Sequence, residues 1–168
     1  MGVNIVLKLG DPMVKGESGV KGHETEIDVL TWSWGLTQSA SAHIATGAGT
    51  GSADVSDLTI TKYIDSASPT LHQECFLGSD FKTATLTCIK VGGKAGPVEF
   101  IKIVMSGTVF ISSVKPGDRE VVDGKATDRF TETMTLNFAK VKIEYTGQKE
   151  DQSKGATVSG ELNIAARA

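Results

Sequence analysis

Four stretches of this chain alternate, residue by residue, between apolar side chains and short polar or charged ones. Val3, Ile5, Leu7 and Leu9 form the first, and Leu30, Trp32, Trp34 and Leu36 the second. Ala84, Leu86 and Cys88 form the third, and Met134, Leu136 and Phe138 the fourth. Side chains of a strand point to opposite faces in turn, so a two-residue period describes strands with one buried and one wet face. Composition agrees: Thr, Val and Ile number 18, 15 and 11 among 168 residues, and β-branched side chains fit a pleated surface. The expected fold is mainly β, about eight strands forming a closed barrel or sandwich, in one domain spanning 1–168.

Punctuation between these stretches fixes the rest of the layout. Gly10, Asp11, Pro12, Gly16, Ser18, Gly19 and Gly22 mark 10–24 as a surface loop. Residues 39–53 are almost free of charge and bulk, and read as a long flexible loop. A strand is expected at 55–63. The single helix signal runs from Ser68 to Gly78, with Ser68 as cap, Pro69 in the first turn and Gly78 as terminator. Gly92-Gly93-Lys94 begins a turn, and Ser106-Gly107 should bend or bulge the long apolar stretch 98–114. The segment 115–129 carries nine charged or proline residues and reads as a charged loop. After Phe138 the apolar phase shifts to Val141, Ile143 and Tyr145, so an extra residue is expected near Ala139-Lys140.

Charge and motifs exclude several functions. A net charge of −3 argues against nucleic acid or anionic membrane as partner, and no apolar run is long enough to span a bilayer. The N-terminal residues lack a secretory leader and a myristoylation signal, so synthesis in the cytoplasm is expected. Cys75 and Cys88 are expected as buried free thiols. His23, His43 and His72 show no metal-ligand spacing, and the 47–52 run fails the dinucleotide fingerprint. No G-x-S-x-G occurs, and carboxylate pairs such as Asp54/Asp57 fall in polar loops. No enzyme activity, metal or cofactor is expected.

What remains is short hydroxyl residues opposite apolar ones: Thr31 and Ser33; Thr83, Thr85 and Thr87; Thr131, Thr133, Thr135 and Asn137. They describe either a wetted outer sheet face or the wall of a water-filled space shared between subunits, with Trp32 and Trp34 packed behind it. If the tryptophans were exposed instead, a β-sandwich carbohydrate- or protein-binding module would be the alternative.

Particular words of the sequence decide further. Glu26-Ile27-Asp28-Val29-Leu30-Thr31-Trp32-Ser33-Trp34-Gly35 resembles the second-strand motif of the Hcp (haemolysin-coregulated protein) family, the tail-tube subunit of type VI secretion. The resemblance continues through Lys15-Gly16-Glu17-Ser18, Leu58–Asp65, the helix from Ser68-Pro69, Val109–Val114 and Thr133–Ala139, in the family's order. It implies two β-sheets in a tight barrel with one short helix and an extended loop. It also implies a homohexameric ring that stacks on further rings into the inner tube of a contractile machine with sheath, spike and baseplate. The tube is itself secreted without a cleavable signal, and its lumen carries and chaperones small effector proteins. A tail-tube protein of a related contractile particle without cargo is the near alternative.

By position, the resemblance makes Ser33 a lumen-facing cargo contact, with Thr31 beside it. It places Ser41, Ala42, His43, Gly47, Gly49 and Gly51 on the extended loop that reaches neighbouring subunits or rings. Gly92, Gly93 and Lys94 become stacking candidates at a ring face. The segment 115–129 departs from the family pattern, being longer and more charged. The ending at Arg167-Ala168 leaves no fused toxin domain in the expectation.

Overall fold

A computed structural model describes residues 2–43 and 51–166. Ten strands and one helix follow in the order β1 (Gly2–Gly10), β2 (Ile27–Val29), β3 (Thr31–Ser33), β4 (Leu36–Gln38), β5 (Ala53–Val55), β6 (Leu58–Tyr63), α1 (Ser68–Leu77), β7 (Asp80–Val91), β8 (Val98–Val122), β9 (Lys125–Gln148) and β10 (Lys154–Asn163). The fold is mainly β with one helix. All the pairings are antiparallel.

The hydrogen-bonded order is β2-β1-β7-β8-β9-β6-β3, with β10 also on β9 and a separate β4-β5 pair. The long β8–β9 hairpin serves two halves of this sheet. Its inner half, Val98–Phe110 with Asn137–Gln148, lies between β7 and β10. Its outer half joins β6, with Leu58 opposite Leu136 and Tyr63 opposite Thr131. Within the inner half, at the expected Ser106-Gly107, the register shifts and Gly107 takes a φ of 83°. Left-handed backbone is open to glycine and costly for side chains with a Cβ. The inserted residue belongs to β8, where Gly107 and Thr108 oppose Ala139, rather than to β9.

The alternating run 25–36 is not one strand. β2 pairs with β1, β3 with β6 and β4 with β5, because the chain crosses at Leu30, whose N–H bonds Thr61 O at 2.7 Å. This crossing joins the two ends of the hydrogen-bonded path covalently, yet no ladder joins β2 to β3 among the described residues. The sheet is open, so the expectation of a closed barrel is not met by hydrogen bonding within the chain.

Other boundaries also move. The strand expected at 55–63 divides into β5 and β6, and β5 draws residues from the supposed loop 39–53 into a ribbon with β4. Ser39 N and Ser52 O extend that ribbon at 3.3 Å. The supposed charged loop 115–129 is strand on both sides of a turn at Asp123-Gly124, with Val122 opposite Lys125. Charged residues suit a solvated two-stranded ribbon, since neither face needs to be apolar.

The core lies between the sheet halves and under α1, and is filled by Leu7, Leu9, Ile27, Ile60, Leu71, Phe81, Leu86, Met105, Met134 and Leu136, all fully buried. Trp32 and Trp34 pack against it but stay partly exposed. Trp34 lies 6.3 Å from Phe138, ring centre to ring centre. Cys88 is a buried free thiol, whereas Cys75 is only half-buried. Burial pushes the Cys88 thiol up, keeping it in the unreactive form.

Candidate functional site

β3, β6, β9 and the outer half of β8 form a four-stranded face whose pairing register lines up hydroxyl residues. Thr31 pairs with Thr61, Thr61 with Thr133, and Thr133 with Lys115. In the next row Ser33 pairs with Thr59, Thr59 with Thr135, and Thr135 with Ser113. Between these rows, Trp32, Ile60, Met134 and Val114 point the other way, into or against the core. The two-residue period therefore sorts the same four strands into an apolar inner layer and a hydroxylic outer one. Thr31 and Ser33 are both exposed on the outer layer.

This outer face is organised by its own hydrogen bonds. Thr135 Oγ1 lies 2.7 Å from Ser112 Oγ and 2.6 Å from Ser113 Oγ. Ser112 also donates to Asp57 Oδ2 at 2.6 Å, and Asn137 donates to Asp57 Oδ1 at 2.8 Å. A register shift between Ile111 and Ser113 lets both serines reach the same threonine. The arrangement can hold water and make exchangeable hydrogen bonds around the Asp57 carboxylate. Among the described residues, no group of three or more His, Cys, Asp or Glu side chains is placed to hold a metal.

Thr83, Thr85 and Thr87 do not join this face. They belong to β7, paired with Gly10, Lys8 and Val6 in the other half of the sheet, and Thr87 is buried. Ser41, Ala42 and His43 lie exposed beyond the end of β4, with His43 N donating to Ser41 Oγ at 3.3 Å. Gly51 sits against the Ala40 backbone at the far end of the same ribbon, beyond the Gln38–Ala53 pair. Gly47 and Gly49 lie outside the described residues. Gly92, Gly93 and Lys94 form the turn between β7 and β8, where Gly96 N bonds Gly93 O at 3.2 Å, away from the hydroxyl face. Trp32 and Trp34 back that face and do not form an exposed aromatic platform, which removes the main support for a carbohydrate module.

Sequence reasoning missed a buried ionic cluster directly behind the site. Lys62 is fully buried, and its Nζ, with three protons to give, lies within hydrogen-bond distance of Glu132 Oε1 at 2.6 Å, Tyr63 O at 2.8 Å, Asp65 Oδ1 at 3.0 Å and Ser68 Oγ at 3.1 Å. Ser68 donates to the same Glu132 oxygen at 2.6 Å, and His72 Nε2 meets Glu132 Oε2 at 3.0 Å. Ser68 is thus drawn into the cluster and does not cap α1: the cap position is Ala67, with no side-chain cap bond, while Asp65 accepts from Ala67 N at 3.0 Å. Gly78 closes the helix as expected. The cluster ties β6, β9 and α1 together.

Burial would raise the Glu132 carboxyl, but hydrogen bonds from Lys62, Ser68 and His72 outweigh it and hold the group below its ordinary value of 4.5. A depressed folded-state value means that its contribution is complete above the unfolded value and is lost as pH falls through the folded one. Acid titration followed by circular dichroism should therefore show stability declining below about pH 4.5. In Glu132→Gln that decline should be shallower, and an identical slope would remove Glu132 from the account.

The comparisons come to the same place. The family described as "Type VI secretion system effector, Hcp" matches residues 6–145. The chain is 45% identical over 165 residues to Protein hcp1 of Pseudomonas aeruginosa, covering 98% of this chain and 96% of that one. The chain belongs to the Hcp family. Among solved structures, a type six secretion system protein superposes with a TM-score of 0.84 at 25% identity, covering 99% of each chain. Hcp1 from Salmonella typhimurium gives 0.74 at 28% identity, covering 100% of this chain and 99% of that one. The Hcp-like fold and the type VI secretion setting thus stand on sequence and structure together. Among the described residues, no helix is long and apolar enough to cross a membrane.

Proposed function

We propose that this chain is a tube subunit of the type VI machine: identical copies close into a hexameric ring, rings stack, and the hydroxyl face lines the bore. The observation that carries this reading is the face itself. Thr31, Ser33 and Ser113 are exposed on it and Thr59, Thr61, Thr133 and Thr135 half-buried, and it lies on strands whose outer members, β3 and the outer half of β8, have an unpaired edge among the described residues. Open edges solicit further strands. A closed ring removes them, so closure of the barrel belongs to the assembly and not to the single chain.

Short neutral side chains keep such a bore wide and wet. They suit varied protein cargo, because hydroxyls exchange partners with water at little cost. Ser33 and Thr31 are the cargo contacts in this reading, and small effectors are the cargo that the ring carries and chaperones. Sheath, spike and baseplate are the outer partners, and the tube leaves the cell with its load. Neither nucleic acid nor membrane insertion has a part in it, and no cofactor is needed.

The test is native mass spectrometry of the purified full-length chain, with Ser33→Gln beside it. The parent chain should appear at six subunit masses. The variant should also form rings, with its stability changed by no more than an ordinary surface substitution, about 0.5 kcal/mol, while retention of co-expressed effector drops. Monomer alone across micromolar concentrations would overturn the ring. Unfolding of the Ser33→Gln protein would show that Ser33 faces a packed interior.

A further inference from the structure

The outer end of the β8–β9 hairpin leaves the body of the sheet. Phe130 O is the last β9 group bonded to the neighbouring strand side, accepting from Ile64 N at 2.9 Å. Beyond it, Arg119 with Phe130, Val121 with Ala126 and Val122 with Lys125 pair only with each other. The free part is Glu120–Val122 on one strand and Lys125–Arg129 on the other, with a register shift between Arg119 and Val121, and reaches roughly 10 Å. Its root is pinned: the Tyr63 hydroxyl donates to Glu120, and the Arg129 guanidinium lies 3.5 Å from the Tyr63 ring centre. Arg119 Nη2 donates to Thr127 O at 2.6 Å across the ribbon. A pinned ribbon keeps its tip in place, and that tip is apolar: Val121 and Val122 are 63% and 51% exposed beside the Asp123-Gly124 turn.

At the opposite end of the same sheet the chain offers a counterpart. β6 runs from Leu58 towards Tyr63 and the ribbon, and β3 runs antiparallel to it, so β4 and β5 continue the sheet away from the tip. Between the β4–β5 ribbon and the end of β10 lies an open groove of about 550 Å³. Leu36, Val55, Leu162 and Ile164 supply its apolar wall, and Asp54 and Gln38 its polar rim. Leu36 is 49% exposed there. Asp54 is exposed and makes no ion pair among the described residues. Lys125, directly across the ribbon from Val122, likewise makes none.

A tip of two exposed valines with Asp123 at the turn and Lys125 beyond it faces one way along the strands, and an apolar groove rimmed by Asp54 faces the other. We infer that the Val121-Val122 tip of one copy docks in the Leu36/Val55/Leu162/Ile164 groove of a second copy placed head-to-tail, with Lys125 meeting Asp54. This rests on the ring reading and names a contact by which successive rings hold together. It also gives the charged ribbon 115–129 a task. A heterologous contact of this kind repeats along an axis without closing, as a tube requires.

The experiment uses the full-length chain carrying Val122→Cys with Leu36→Cys, oxidised and compared with each single variant, by non-reducing gel and native mass spectrometry. The double variant alone should give disulfide-linked chains, in particles of two or more ring masses. Rings without such links, or links confined to particles of one ring mass, would overturn the contact. A charge reversal supplies the second arm. Since each junction repeats the contact once per subunit, Lys125→Glu should raise the concentration needed for stacking at least about tenfold, and adding Asp54→Lys should restore it. An unchanged Lys125→Glu protein, or one that Asp54→Lys does not rescue, would overturn it too. Absence of rings in every variant and in the parent would instead refute the ring reading beneath it.

Discussion

Lys62→Met is expected to destabilise the protein by about 3–5 kcal/mol, because it leaves the Glu132 carboxylate buried without its cation. For a chain of this size each kcal/mol shifts the melting point by about 2–4 °C, so calorimetry should find a loss of roughly 6–20 °C. Methionine keeps the length and most of the volume of lysine, so the effect is electrostatic and not a cavity. Glu132 is 1% exposed and would retain only Ser68 and His72 as side-chain donors. Replacing both partners, Lys62→Met with Glu132→Leu, should recover much of the loss, since an apolar pair avoids the desolvation that the ionic pair must overcome. The damage should appear first in α1. That helix has Ser68 and Leu71 as its buried residues, and Ser68 belongs to the cluster. Amide exchange over 68–77 should therefore quicken more than exchange in β7. A Lys62→Met protein melting with the parent would show that the cluster is not what holds the helix to the sheet.

That cluster was readable in the sequence, had the strand phase been set correctly. Leu58, Ile60 and Lys62 share one face of β6, and Glu132, Met134 and Leu136 share one face of β9. Two opposite charges thus stand in line with buried aliphatics on strands that turn out to be neighbours. A lysine in line with Leu58 and Ile60 breaks the apolar series and so hides its own burial. The alternation of Thr31 and Ser33 against Trp32 was legible for the opposite reason: a strict period needs no knowledge of the partner strand. What periods cannot give is pairing. Thr83, Thr85 and Thr87 carry the same signature as Thr131, Thr133 and Thr135, yet β7 lies in the other half of the sheet. The split of 25–36 among three partners was equally hidden: the phase flips at Leu30, with Ile27 and Val29 buried before it, Leu30 and Thr31 both exposed, and Trp32 and Trp34 half-buried after it, so Leu30 and Leu36 do not share the tryptophans' inward face. Charge misled at 115–129: a ribbon solvated on both faces has the composition of a loop. The family words carried the fold and the secretion setting, but not the physical reasons behind each word.

One of those words, Lys15-Gly16-Glu17-Ser18, has its reason in backbone contact, and Gly16→Ala should expose it. Gly16 N bonds Thr25 O at 2.9 Å and Ser18 N bonds Glu26 O at 3.1 Å, which lays the loop flat against the entry to β2. A Cβ on Gly16 would stand 2.2 Å from Glu26 O, 2.6 Å from its carbonyl carbon and 2.8 Å from Ile27 Cα. All three are main-chain atoms, so no rotamer change can make room. Either the loop lifts, losing both hydrogen bonds, or β2 shifts on β1, where Ile27 pairs with Leu7 and both side chains are fully buried. β2 has only three residues and ends the sheet's hydrogen-bonded path, so it is the element that gives way. The expected cost is about 3 kcal/mol or more, at the top of the range for overpacked sites. Amide exchange at Ile27–Val29 should accelerate well beyond that of β7. Gly19→Ala is the internal control: nothing lies within 4 Å of its added Cβ, so its effect should stay within about 0.5 kcal/mol. Equal melting points for the two variants would mean that close backbone approach is not what selects glycine at position 16.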